Sequence, residues 1–182
     1  MATVIHRETK QILYSVNTPD YTEEIWVINP DFSNVDGVPQ KYWKISGDSI
    51  VEMTQEEKSV VDAAELVEYK NLMLTEISNN SPVVLERDGF EFDSYVFPLT
   101  KESREQYLML ASMKSVLQYP LLLDKKDETL PQYSILDEQV LDSFLLTVMG
   151  YANSVIDAGE ALKADIRAAT SKEEVDAVID NR

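Results

Sequence analysis

Apolar and polar positions along the chain fall into short alternating runs and three longer stretches of helical period. In residues 41–54, Trp43, Ile45, Ile50 and Val51 flank Ser46, Gly47 and Asp48, which reads as two short strands around a tight turn. Thr54 then opens a helix. Glu57 stands three residues on, the spacing of a capping box, and Val60, Val61, Ala64, Val67 and Leu74 keep a helical period to about Asn79. Asn79, Asn80 and Pro82 predict its end. Residues 83–86 and 90–97 read as a second hairpin around Asp88 and Gly89, with Phe90, Phe92, Tyr95 and Phe97 as its large apolar groups. A helix over 101–118 follows, carrying Tyr107, Leu108, Ala111, Val116 and Leu117. The hairpin-then-helix plan recurs, but the residues do not, so no duplication is inferred.

Residues 119–132 read as a loop with Pro120 and Pro131 at its ends, and 133–136 as a short strand. Asp137 is placed to cap the longest helix, about 138–168, with an apolar stripe that includes Val140, Leu141, Phe144, Val148, Val155 and Ile156. Gly150 and Gly159 weaken it by about 1 kcal/mol each relative to Ala. Thr170 and Glu173 form a second capping box, opening a terminal helix to about Asp180. Ahead of everything lies an arm, residues 1–40, with strand candidates at 11–16 and 24–28. It is punctuated by Asn17, Pro19 and Asp20, by Asn29, Pro30 and Asp31, and by Gly37 and Pro39. Such an arm cannot stand alone and must pack on this chain or another. The expected fold is α+β, with short β-hairpins alternating with helices and one long C-terminal helix. The expected division is a docking module over 1–53 and a helix–hairpin–helical domain over 54–182.

Composition narrows the function. At 182 residues the chain suits one medium domain or two small ones. A net charge of −17 and a pI near 4.3 repel phosphate backbones and anionic lipid, so neither nucleic acid nor membrane is expected as a partner. No secretory signal or membrane span is read from the sequence, which points to a soluble species. The absence of cysteine excludes disulfides, thiolate nucleophiles and Cys-ligated metal.

Chemistry-bearing residues are few. His6 is the only histidine, so a multi-His metal site or a His-based triad is excluded, and His6 reads as solvated in a polar terminal segment. The pairs Glu56/Glu57 and Glu173/Glu174 sit in first helical turns, where negative charge is favoured. They and Glu23/Glu24 select no glycosidase-like acid pair. Residues 124–128 lack the ligand series of a calcium loop and read as a mobile surface loop. No Gly-rich phosphate cradle or nucleophile elbow occurs. No metal and no cofactor are expected. Trp26, Tyr42 and Trp43 are read first as core, and alternatively as anchors for another chain. With Tyr21, Ile28 and Phe32 they make up the candidate interface.

Two stretches resemble bacteriophage proteins. Val16–Tyr21, Trp26–Asp31, Gly37–Pro39, Lys41–Asp48 and Val51–Thr54 together are similar to a short module of phage tail- and fibre-associated proteins, especially of marine and cyanobacterial phages. Gly89–Ser94, the helix after it, and Ile166–Thr170 with Val175–Val178 resemble a domain of unknown function in phage tail-fibre and fibre-assembly proteins. The resemblance implies a virion structural protein of tail, baseplate or fibre, made in the host cytoplasm, docking on other phage structural proteins and forming a homo-oligomer or symmetric assembly. It carries no catalytic residues, so no enzyme is expected. The chain lacks the long repetitive β shaft and Gly-rich tip of a receptor-binding fibre. The alternatives are a non-virion fibre-assembly chaperone, a capsid-surface decoration protein and, last, a hydrolase with paired carboxylates.

Overall fold

The computed structural model describes residues 2–15 and 21–182. The fold is α+β. The chain divides into two compact units, Met1–Glu68 and Tyr69–Arg182.

In the first unit, β1 (Ala2–His6), β2 (Ile12–Ser15) and β3 (Trp26–Ile28) form an antiparallel sheet in the order β2-β1-β3. Val4 lies opposite both Leu13 and Ile28. The central strand is thus the segment that the sequence presented as a polar terminus. Thr3, Val4 and Ile5 are β-formers, and Val4 and Ile5 are fully buried once strands stand on both sides. The turn expected at Asn17, Pro19 and Asp20 lies outside the described residues. β4 (Trp43–Ser46) and β5 (Ser49–Glu52) form the expected hairpin, with Gly47 at φ +61. Asp31 bridges to Ser49, joining the arm to this hairpin. Ile5, Val27, Val35 and Ile50 form the core, with Ile12, Phe32, Val38, Trp43 and Ile45 packed against it. The arm therefore packs on its own chain. Arg7 fastens the two parts: Nε donates to Glu23 O (2.7 Å), Nη1 to Gly47 O (2.7 Å), and Nη2 pairs with Asp48 (2.9 Å). The capping box at Thr54 is reciprocal, with Thr54 N–H donating to Glu57 Oε2 (2.9 Å) and Glu57 N–H to Thr54 Oγ1 (3.3 Å).

Helix α1 (Gln55–Asp88) does not stop near Asn79 but runs on through Pro82. Proline removes one helical N–H and crowds the carbonyl four residues back. Serine hydroxyls on either side bond back to the turn before them, Ser81 Oγ donating to Ile77 O (3.3 Å) and Ser78 Oγ to Leu74 O (2.9 Å). Continuing the helix also buries Val84 and Leu85, which the sequence reading placed on a strand. Gly89 then ends it at φ +69, its N–H bonded to Leu85 O (3.1 Å). A Cβ at Gly89 would collide with the Phe97 carbonyl, so only glycine fits. Asp88-Gly89 is a helix terminus, not a hairpin turn. The true turn is Asp93-Ser94, both at positive φ, between β6 (Phe90–Phe92) and β7 (Tyr95–Phe97).

The remaining elements of the second unit follow the expected order with shifted ends. Helix α2 (Lys101–Met113) is capped by Thr100 and continues as a 3-10 turn, Lys114–Val116. The region expected to be loop contains β8 (Leu121–Leu123), paired with β9 (Tyr133–Ile135). Helix α3 (Glu138–Ala168) starts where Asp137 Oδ1 accepts from Val140 N–H (2.9 Å). Helix α4 (Lys172–Asp176) is capped one residue later than expected, by Ser171, while Glu174 reaches back to Thr170. Phe144 of α3 is the centre of the core, with ring centroids at 5.0 Å from Phe97, 5.2 Å from Phe90 and Tyr107, and 5.3 Å from Phe92.

Arg182 closes this unit. Its guanidinium pairs with Asp180 (2.7 Å) and donates to Ser81 Oγ (3.0 Å), Ile77 O (3.2 Å) and Val155 O (3.0 Å), tying α1 to α3. Gly159 leaves room for it, since a Cβ there would meet the guanidinium, whereas Gly150 faces open space. Gly150→Ala should therefore stabilise the fold by about 0.5–1 kcal/mol, and Gly159→Ala should destabilise it, as read from urea midpoints. Equal effects would contradict the clasp. Asp180 is held well below the usual carboxylate range, foremost by Arg182 and also by the Asn80 amide, against the opposing pull of burial. A depressed folded pKa gives stability that is complete above about pH 4 and is lost as pH falls through the folded value. Asp180→Asn should cost about 2 kcal/mol at neutral pH. Denaturation midpoints should show the gap to wild type narrowing below about pH 4, and a constant gap would disprove the assignment.

Candidate functional site

The six candidate interface residues all lie in the first unit and are all half-buried, but the structure divides them by role. Phe32 and Trp43 pack together (ring centroids 5.5 Å apart) against the unit's own core, and Trp43 Nε1 donates to Val38 O (2.8 Å). Tyr42 belongs to a polar cluster on α1. Its hydroxyl donates to Asp62 (2.6 Å), and the ammonium groups of Lys41 and Lys58 lie 4.7 and 5.3 Å from its ring centroid. Lys41 also bonds Asp62 (2.8 Å) and Glu65 (2.9 Å), and these bonds, Asp62 first, hold its ammonium well above its usual range.

Trp26, Tyr21 and His6 form a third group. Trp26 receives His6 edge-on at 4.9 Å and Tyr21 edge-on at 5.1 Å. Strand β3 sends Val27 inward to the core and Trp26 and Ile28 to the other face. His6 is half-buried and has a structural task that the sequence did not reveal: its Nδ1 accepts the N–H groups of Glu8 (3.2 Å) and Thr9 (3.1 Å), shaping the turn between β1 and β2. Sequence reasoning missed Tyr14 and Ile25, the large apolar groups of the arm that stand in solvent. Tyr14 lies on the four-residue strand β2, where alternation is too short to show its side, and Ile25 lies in the turn before β3 rather than on the strand expected over 24–28.

In the second unit, Leu108, Met109, Met113 and Val116 are exposed along α2 and the turn after it, as are Leu146, Met149 and Ile156 along α3. A cleft of about 670 Å³ is lined in part by Glu86, Thr100, Glu102, Ser103, Tyr107 and Lys125. Burial foremost, and then Asp124, push the Tyr107 phenol up, so it stays protonated and donates to Pro98 O (3.1 Å). Residues 124–128 are anchored at several points. Lys126 N–H bonds Val96 O (2.8 Å), Lys125 is buried with its ammonium 3.5 Å from the Tyr95 ring centroid, and Asp124 accepts from Gln132 (2.7 Å).

One member of each helix-opening carboxylate pair has a structural partner. Glu57 lies below the usual range, chiefly through Lys44 and then through the Thr54 N–H. Glu174 is lowered by the Thr170 N–H and hydroxyl. Among the described residues, no cluster of three or more His, Cys, Asp or Glu could hold a metal ion, and no helix is long and apolar enough to cross a membrane. Comparison with known proteins gives no match to a family model, to a curated protein or to a solved structure.

Trp43→Ala should cost about 3 kcal/mol, because it empties part of the first core. Trp26→Ala should cost about 1 kcal/mol, because it removes two edge contacts. With two tryptophans in the chain, each variant keeps one fluorescent reporter for denaturation. Equal costs would contradict this division of roles.

Proposed function

We propose that this chain is a bacteriophage virion structural protein, associated with tail, baseplate or fibre, that works by docking on other phage structural proteins. The sequence resemblance motivates the particle. The carrying structural observation is the set of large apolar side chains left in solvent on successive elements: Tyr14 and Ile25 on the arm, and Leu108, Val116, Leu146 and Met149 on the helices. Contiguous apolar patches mark surfaces covered in an assembly, and this reading takes these side chains as parts of such surfaces. In this reading the arm docks through Tyr14, Ile25 and the Trp26 cluster, while Phe32 and Trp43 keep the unit folded.

Mass spectrometry of purified particles tests the proposal. The chain should be present at a fixed copy number, and the double variant Tyr14→Ser, Ile25→Ser should fold yet be depleted from particles at least about tenfold, as expected for the loss of interface anchors. Presence in the lysate but absence from particles would replace this reading with an assembly chaperone. Wild-type incorporation of the double variant would show that the arm is not the anchor.

A further inference from the structure

The chain has one histidine, and His6 stands where β1 turns towards β2. Its Nδ1 accepts the N–H groups of both Glu8 (3.2 Å) and Thr9 (3.1 Å). Two donors on one ring nitrogen fix the ring's state: Nδ1 carries no hydrogen, and the neutral imidazole holds its hydrogen on Nε2. The same turn is closed by two backbone bonds on His6, from His6 N–H to Gln11 O (2.9 Å) and from Lys10 N–H to His6 O (2.9 Å). Lys10 sits at φ +58, a conformation that such a residue keeps only where its surroundings hold it. The imidazole supplies that hold from the inside of the turn.

We propose that His6 is a pH-sensitive latch on the arm, closing the β1–β2 turn when neutral and releasing it when protonated. Imidazole is the side chain whose charge ordinarily changes between about pH 5 and 8. A proton on Nδ1 converts the acceptor into a donor that faces two donors, so the imidazolium keeps neither bond. The N–H groups of Glu8 and Thr9 then turn to water, which their exposed positions allow. The charged and titratable groups around the ring are few. Arg7, Glu8 and Lys10 lie in the turn, Tyr21, Glu23 and Glu24 in the segment before β3, and β2 brings only Tyr14, opposite Thr3. Arg7 is engaged with Glu23 O, Gly47 O and Asp48, and Tyr21 packs on Trp26. Among the described residues no carboxylate pairs with His6, so no ion pair replaces the lost bonds. The opening is local, because β1 remains paired to β3 on its other side. Strand β2 follows the turn and carries the exposed Tyr14, so the latch sets how firmly the arm presents that ring. The inference does not depend on a virion role.

Proton NMR of the whole chain tests the latch, since a single histidine gives one C2–H resonance to titrate. Amide protection, corrected for intrinsic exchange, should fall at His6 and Lys10 between about pH 8 and 5, with the midpoint of that resonance. The fall should be at least about fivefold, the worth of one hydrogen bond. The Asn29 amide, bonded to Thr3 O across β1 (2.7 Å), should keep its protection. His6→Asn sets an amide oxygen where Nδ1 stands and does not titrate, so its turn should stay closed at both pH values. His6→Leu, with no acceptor, should show the low-pH protection throughout. Wild-type protection that stays flat while the C2–H resonance titrates, or the same fall in either variant, would overturn the proposal.

Discussion

The second unit depends on one constraint: hairpins with three-residue strands cannot hold themselves together. Strands β6, β7, β8 and β9 have that length, and each hairpin is a separate two-stranded sheet. A lone hairpin is marginal in water and needs an apolar wall. Phe144 supplies the wall. Phe90, Phe92, Phe97 and Tyr107 all pack against its ring, mostly edge to face, and each such pair adds about 0.5–1.5 kcal/mol beyond the area it buries. The first unit solves the same problem with aliphatic residues, Ile5, Val27 and Ile50 drawing the arm and the β4–β5 hairpin onto one core.

The excess of negative charge is managed locally. Many carboxylates cap helices or meet a nearby cation: Glu57 serves Thr54 and Lys44, Glu174 serves Thr170, and Asp142 serves Lys114. Exposed ion pairs of this kind contribute little stability, about 0–1 kcal/mol each. The burden of folding falls on the aromatic and aliphatic cores. The Asp180–Arg182 pair differs, because it is largely shielded from water and because its guanidinium also takes carbonyls from two helices.

Much of this was legible in the sequence wherever the signal was local. The Thr54–Glu57 box, the Asp137 cap, the β4–β5 turn and the span of α3 all follow from residues within one turn of one another. What was not legible depended on partners distant in sequence. Strand β1 looked polar because His6, Arg7 and Glu8 crowd its end, and only β2 and β3 make it a central strand. Val83 and Val84 have strand propensity, yet burial of Val84 and Leu85 carries the helix past Pro82. Asp88-Gly89 is an equally good helix terminus and hairpin turn, and the steric demand of the Phe97 carbonyl decides between them. The aromatic identity of the candidate interface was readable, but its division into core and surface was not. Alternation along β3 says that Trp26 and Val27 point opposite ways without saying which way is inward.

Amide hydrogen exchange on Phe144→Ala tests the central claim most directly. If this ring is the wall on which the short hairpins depend, protection in β6–β7, β8–β9 and α2 should be lost together. Hairpins that kept their protection without the ring would show that they stand by other means, and the account of this unit would fail.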